Sequence, residues 1–525
     1  MLKMTHKGGN KIEVNKKKGI KNQDVNVQDK RGDKRGKAQA YDEILIGNVF
    51  REPYSKIENN LSRIGIKKLS RVLDEMQTMN ARLRPLFSLR HDPKYKIDQL
   101  PLFISKDEFE FLKKGIEQRV NAFNKFLHDV YNGTQDIVPQ DLIKSSPYYF
   151  PECENLVLPK HISIFMYAPD LLHIGENEFL IFDENIKLPS GLGFAIRANE
   201  LRSQYLPEIM DGIDILDFDF TKIADSLCKL TYHPHRKTKL SVVLSDGFRS
   251  LGYHDNRYFA HHLGIQFAEP RDLRLDMDGT VMLKTVECEK EVDVVIRRVS
   301  DPDLYVPGIS QSYVNRKVNV LNSLSASILD DKALYQYLDE IVSVYSGTEP
   351  MLRTLETYSI ESRDIRQKLI SEIKSYIIRK RESGIWMRAG NDLSDEEIKV
   401  MSNELTAEPE IYVMQRAPSP SIHRNIDMEQ ITNLSIPKPR KVSKSKNEIK
   451  EDLEMKRLSL IANAELIENE PDGNLISTTR VLIRPYAFYI DGKIETLPIG
   501  LVKCTSGSTF GSIFDCTLKE MLVLK

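Results

Sequence analysis

Residues 170–191 read D-L-L-H-I-G-E-N-E-F-L-I-F-D-E-N-I-K-L-P-S-G. Two extended runs flank a turn at Gly175, Glu176 and Asn177. The second run, Glu178 to Phe182, is short, mostly apolar and partly β-branched or aromatic, which predicts a strand. Asp183, Glu184 and Asn185 follow it. Side chains alternate along a strand, so Asp183 and Asn185 share one face and Glu184 takes the other. Asp170 is expected across the hairpin, facing the same pair. Two carboxylates and an amide oxygen at a strand end suit Mg²⁺, which takes oxygen ligands and keeps waters and phosphates around it. The plain alternative is a polar turn leading into Pro189-Ser190-Gly191.

The same stretch resembles the circularly permuted ATP-grasp family, the group that includes glutathionylspermidine-synthase-like ligases. In that family the strand ends in Glu-Asp-Asn and a short run leads to Pro-Ser-Gly. Here Asp183-Glu184-Asn185 and Pro189-Ser190-Gly191 stand in those places. The resemblance implies an α/β fold of α+β lobes, with ATP and Mg²⁺ as cofactors. It puts the metal ligands on Asp170, Asp183 and Asn185. Asp183 keeps the charge of the family's glutamate and loses a methylene of reach.

With 525 residues the chain can bury a large core and should hold more than one lobe. Its 75 basic and 76 acidic residues give a net charge of -1, which argues against nucleic acid as a specific partner. The 5 cysteines are scattered without C-x-x-C spacing, which suits a reducing compartment. No apolar run is long enough for a membrane span, and the N-terminus lacks an apolar signal segment. A cytoplasmic protein is expected.

The predicted organisation follows composition and the resemblance together. Residues 1–38 form a basic, disordered tail, too poor in apolar side chains to offset its ordering entropy. Residues 39–210 form an N-terminal lobe carrying the hairpin, and 211–340 an α/β substrate-side domain. Residues 341–430 form the nucleotide lobe, 431–460 a mobile basic linker, and 461–525 the strands that complete the body.

Local signals are clearest early in the chain. Apolar spacing from Ile57 to Met79 predicts one helix or two, with a junction near Gly65. Ser105 and Glu108 form a capping box, and Gly133 a C-cap, around a helix whose Gln118, Arg119, Val120, Asp129 and Tyr131 match the family. Arg119 on an apolar face reads as a salt-bridged structural residue. Residues His161 to Met166 read as a strand, Leu216 to Leu230 as a helix and Lys239 to Leu244 as a buried strand. His254, His261 and His262 lack a third zinc ligand in reach and read as ordinary histidines.

Later motifs supply the basic residues. Val292 to Val299 resembles the family's Val-Asp-Val-Ile-x-Arg-Arg, so Arg297 and Arg298 stand at a strand end, where they can hold a phosphate or carboxylate or else pair with Asp301 and Asp303. Asp330-Asp331-Lys332 matches Asp-Asp-Lys-Ala, which makes Lys332 a substrate or nucleotide contact. Arg484, in Ile483-Arg484-Pro485, matches Leu-Arg-Pro. Together Arg297, Arg298, Arg484 and Lys332 form the expected catalytic set.

The nucleotide set is Arg379, Lys380, Gly384, Gln415, Arg416 and Lys519. The family writes Val-Val-Lys-Pro followed by a Gly-rich flap whose backbone N–H groups wrap the phosphates. Residues 377–390 read I-I-R-K-R-E-S-G-I-W-M-R-A-G, so Arg379 or Lys380 replaces the lysine and Ile385 and Trp386 stand where glycine gave freedom. Gln415 is followed by Arg416, where the family has glutamate. Such a flap is stiffer, and ATP would be gripped mainly by side chains.

Two functions follow. One is an ATP-dependent ligase joining a small-molecule or peptide carboxylate to an amine through an acyl phosphate. The other is an inactive ATP-grasp-like subunit that binds or regulates a protein partner.

Overall fold

The computed structural model describes residues 40–47, 49–82, 96–247, 250, 252–382, 386–417, 419–426, 476–507, 509–510 and 516–525. The tail of residues 1–38, the linker of residues 431–460 and Gly384 lie outside the described residues.

Three of the five sheets among the described residues position the site. The largest has ten strands, and at its centre Asp170–Gly175 lies between Glu178–Asp183 and the long strand Ile476–Ile490. Beyond Ile476–Ile490 follow Lys493–Thr505 and Thr517–Val523. A parallel sheet of four strands has the order Asn319–Leu321, Val294–Arg297, Ser241–Leu244, Gln266–Ala268. A small antiparallel sheet has the order Thr357–Ser359, Tyr412–Arg416, Tyr376–Lys380, Met387–Ala389.

The small sheet has two distinct faces. Tyr376, Ile378, Tyr412 and Met414 pack outward on Leu369, Met401 and Leu405 of two covering helices. Ile377 and Met387 point the other way, onto Leu172, Phe182 and Leu482 of the large sheet. Alternation along the strand therefore puts Arg379 beside Ile377 on the inner face and Lys380 on the outer one.

Local chemistry fixes several elements as expected. Gly65, at φ 74°, separates helices Tyr54–Ile64 and Ile66–Arg82. Ser105 and Glu108 cap each other reciprocally at the start of Lys106–Asn132, and Gly133 closes that helix in the left-handed region. Asp491 and Gly492, both at positive φ, turn the chain between the two longest strands.

Two expectations need correction. The helix placed at Leu216 to Leu230 spans only Thr221–Leu227. Upstream of it Ile215 bridges Leu524, and the Leu216 N–H bonds the Val523 carbonyl, so long-range strand contacts claim those residues. The strand expected over His161 to Met166 is confined to Met166–Tyr167 at its end and opens with a 3₁₀ turn at Pro159–His161. After Asp331 the chain forms a 3₁₀ segment, Lys332–Tyr337, and then the α-helix Leu338–Ser346.

Candidate active site

Asp170 and Asp183 are directly opposed partners in the hairpin register. Each carries its own cations. Arg484 donates to both oxygens of Asp170 at 2.7 Å, a two-pronged contact, and Lys503 adds a third bond at 2.9 Å. Lys332 donates to Asp183 at 2.6 Å and Arg379 at 2.7 Å, while the Tyr335 hydroxyl also donates to it. All six charged side chains are buried. Four cations against two carboxylates leave the cluster with two positive charges in excess.

Burial alone would push both carboxyls up. At Asp170 the charges of Arg484 and Lys503 outweigh burial, and at Asp183 those of Arg379 and Lys332 do, so both are held below the usual carboxylate range. Burial pulls the Lys503 ammonium down, with Asp170 opposing it.

The elements behind these contacts are far apart in sequence. Arg379 comes from the inner face of the small sheet and bonds Gln415 Oε1 at 3.3 Å, and Gln415 in turn donates to Thr357 at 3.0 Å. Arg484 and Lys503 come from the two longest strands, and Arg484 also bonds the Ser190 carbonyl at 2.9 Å. That contact anchors the Pro189-Ser190-Gly191 turn. Asp255 holds the turn from the other side, accepting from Gly191 N at 2.7 Å and Gly193 N at 2.8 Å. Gly191 has φ 101°, and a Cβ there would lie 2.7 Å from the Tyr486 hydroxyl, so glycine is required on both counts.

The remaining expected site residues are distributed as follows. Glu184 points away from the cluster, as alternation predicts, and pairs with buried Arg119 at 2.5 Å. Asn185 has φ 45°, and its side-chain nitrogen is buried without a partner. Arg298 is spent on Asn256 at 2.7 Å, on Asp255 at 3.2 Å and on the Pro189 carbonyl. Arg297 bonds neutral oxygens of Asn322, Ser323, Ser300 and Ser327, and burial pushes its guanidinium down to about 10. Asp301 and Asp303 do not pair with these arginines; they cap the turn that follows. Lys519 donates to Asp98 at 3.2 Å and to the Arg424 carbonyl at 2.7 Å. Lys380 lies over the Trp386 ring on the outer face, and Arg416 is exposed. The structure thus brings together Asp170, Asp183, Lys332, Arg379, Gln415 and Arg484, and leaves Arg297, Lys380, Arg416 and Lys519 out of that cluster.

As they stand, these residues do not fit a metal ion held by the protein. Every oxygen of both carboxylates already accepts from a cation. Among the described residues no three His, Cys, Asp or Glu side chains form a metal-holding group.

A cavity of about 250 Å³ is lined by Ile377, Ala389, Asn391, Ala417, Ile422 and Arg480 among others. Ile377, part of its wall, is two residues from Arg379 on the same strand face, about 7 Å along the strand.

Sequence reasoning missed Lys503 and Tyr335 as members of the cluster. For Lys503 a signal existed: an ammonium in the apolar run Pro498 to Val502 has to find a buried partner. Tyr335 gave none.

A sequence profile of circularly permuted ATP-grasp type 2 proteins matches residues 101–505. The chain belongs to that family. An uncharacterized protein of Synechocystis sp. is 26% identical over 341 residues, covering 61% of this chain and 70% of that one. A Mycobacterium tuberculosis protein, also uncharacterized, is 24% identical over 400 residues, 72% of each chain. A Frankia casuarinae protein provisionally named glutamate–cysteine ligase 2-2 is 24% identical over 406 residues, 73% of this chain but 47% of its own length. Among solved structures, the apo form of a glutathione synthetase-like effector from Globodera pallida superposes with a TM-score of 0.51 at 12% identity. That match covers 92% of this chain and 100% of the other, and it speaks for the ATP-grasp fold alone. Among the described residues no helix is long and apolar enough to cross a membrane.

Proposed function

We propose that this chain is an ATP-dependent carboxylate–amine ligase working through an acyl phosphate. Membership of the ATP-grasp family supports ATP-dependent ligation in general terms. The observation that carries the reading to this chain is a mainly apolar cavity bordered by Ile377, together with a cluster of excess positive charge that includes Arg379, two residues on along the same strand face. A base and ribose match the first, and a polyphosphate matches the second.

In this reading Lys332, Arg379, Arg484 and Lys503 hold the phosphates. The Lys332 ammonium has three donors and spends two on Asp183 and Tyr335, which leaves one for an oxyanion. The terminal phosphoryl group passes to a carboxylate oxygen of the acid, and ADP leaves. The amine nitrogen then attacks the acyl carbon, the C–O bond to phosphate breaks, and the amine proton goes to solvent. Fixed cations in a dry site favour the charge that builds on the moving phosphoryl group.

A second reading, an inactive subunit with a binding role, has one observation in its favour. Every oxygen of both carboxylates already accepts from a protein cation. Hydroxylamine separates the two. With ATP, magnesium, hydroxylamine and a panel of amino-acid and peptide carboxylates, a ligase releases ADP in step with hydroxamate. ATP binding without ADP release across the panel favours the inactive subunit.

A further inference from the structure

The tripeptide Asp330-Asp331-Lys332 touches two sheets at once. Asp330 accepts from the backbone N–H groups of Ile186 at 2.9 Å and Lys187 at 3.2 Å, just past the hairpin strand of the large sheet. Asp331 accepts from Arg381 Nε with both oxygens, at 2.8 and 2.9 Å. Arg381 directly follows the small-sheet strand Tyr376–Lys380. Lys332 then returns to the large sheet through Asp183, and its own N–H bonds the Arg381 carbonyl at 3.3 Å.

These grips flank the ion pair of Arg379 with Asp183, which joins the two sheets. Asp331 and Arg381 are both buried, so their pair is costly to open. Arg381 is also held from behind by the Leu142 carbonyl at 3.3 Å.

We propose that Asp331 and Arg381 are a positioning pair that sets the gap between the small and large sheets, so that Lys332 and Arg379 reach one phosphate together. The proposal rests on the nucleotide reading above for what fills the gap. Neither residue touches the nucleotide. Each acts through its neighbour in sequence: Asp331 through Lys332, and Arg381 through the end of the strand bearing Arg379. Donors fixed in advance need no rearrangement when the anion arrives.

A simple staple would make the same contacts, so the test needs a readout that a staple does not move. Asp331 also caps Ala333 N at 3.0 Å, and replacing it would disturb the 3₁₀ segment. Arg381→Met leaves that cap in place, and Arg381→Lys keeps the charge while losing the planar fork. The full chain and both variants are compared by hydrogen exchange and by calorimetric ATP titration, at a temperature where all are folded. In Arg381→Met, exchange should rise in residues 376–380 and 412–416 but not in 241–244 or 294–297. ATP affinity of the folded protein should fall about tenfold, with Arg381→Lys in between. Unchanged affinity alongside a lower melting temperature would reduce the pair to a staple and overturn the proposal. If the unaltered protein binds no ATP, the nucleotide reading fails separately. Exchange still decides the bracket, because unchanged exchange at 376–380 in Arg381→Met refutes it.

Discussion

Arg379 of the small sheet donates to Asp183 of the large sheet at 2.7 Å, and both side chains are buried. The two residues are 196 positions apart in the chain. Lys332 meets the same carboxylate, so Asp183 is the counter-ion of two cations from two segments. Any anion entering between the sheets has to share or replace that carboxylate.

Asp183→Asn should therefore be strongly destabilising. It leaves Arg379 and Lys332 buried without their countercharge, a loss of about 3–5 kcal/mol by analogy with other broken buried pairs. Denaturant unfolding measures it, and a loss below about 1 kcal/mol would mean that the pair is open to water.

A pH dependence follows from His173, which lies between Glu43 at 3.0 Å and Glu108 at 3.4 Å and stacks on Phe179. Burial pulls the imidazole down, but the two carboxylates outweigh it and bring it up to about 9. A pKa raised on folding contributes stability that is complete below the unfolded value of about 6.5 and is lost as pH rises through 9. The contribution is about 3 kcal/mol at most. Glu108 moves oppositely: burial raises it, the His173 and Ser105 contacts lower it further, and it settles at about 2. Its share is complete above the unfolded value of about 4.5 and is lost as pH falls from there through about 2. Wild type should lose stability between pH 7 and 10 while His173→Gln stays flat, all pH values being approximate. Parallel profiles would show that His173 is neutral in the fold.

Magnesium offers a third check. Because the oxygens of Asp170 and Asp183 are all engaged, magnesium chloride without nucleotide should give no binding heat and no rise in melting temperature. A saturable heat that Asp170→Asn removes would restore a protein-held ion.

Much of the fold was legible because its signals are local. The hairpin from Asp170, the Ser105–Glu108 box and the Gly65 helix junction each depend on a few neighbouring residues. The site was legible only in part. Asp170, Asp183, Lys332, Arg379, Gln415 and Arg484 carry family motifs, but their pairing is a matter of tertiary contact. Alternation alone argues against grouping Arg379 with Lys380, since adjacent strand residues face opposite ways. The helix expected from Leu216 failed for the same long-range reason: its apolar spacing is real, yet Leu216 bonds to the strand ending at Val523.

The central claim is that the gap between the two sheets is a nucleotide site, and ATP binding measured by calorimetry tests it most directly. ATP with magnesium is titrated into the unaltered chain, Arg379→Gln and Lys380→Ala. The unaltered chain should bind saturably, and Arg379→Gln should bind at least about tenfold more weakly. Lys380→Ala should match the unaltered chain, because Lys380 sits over Trp386 on the far face of the small sheet. No heat at millimolar nucleotide, or equal binding by Arg379→Gln, would contradict the claim.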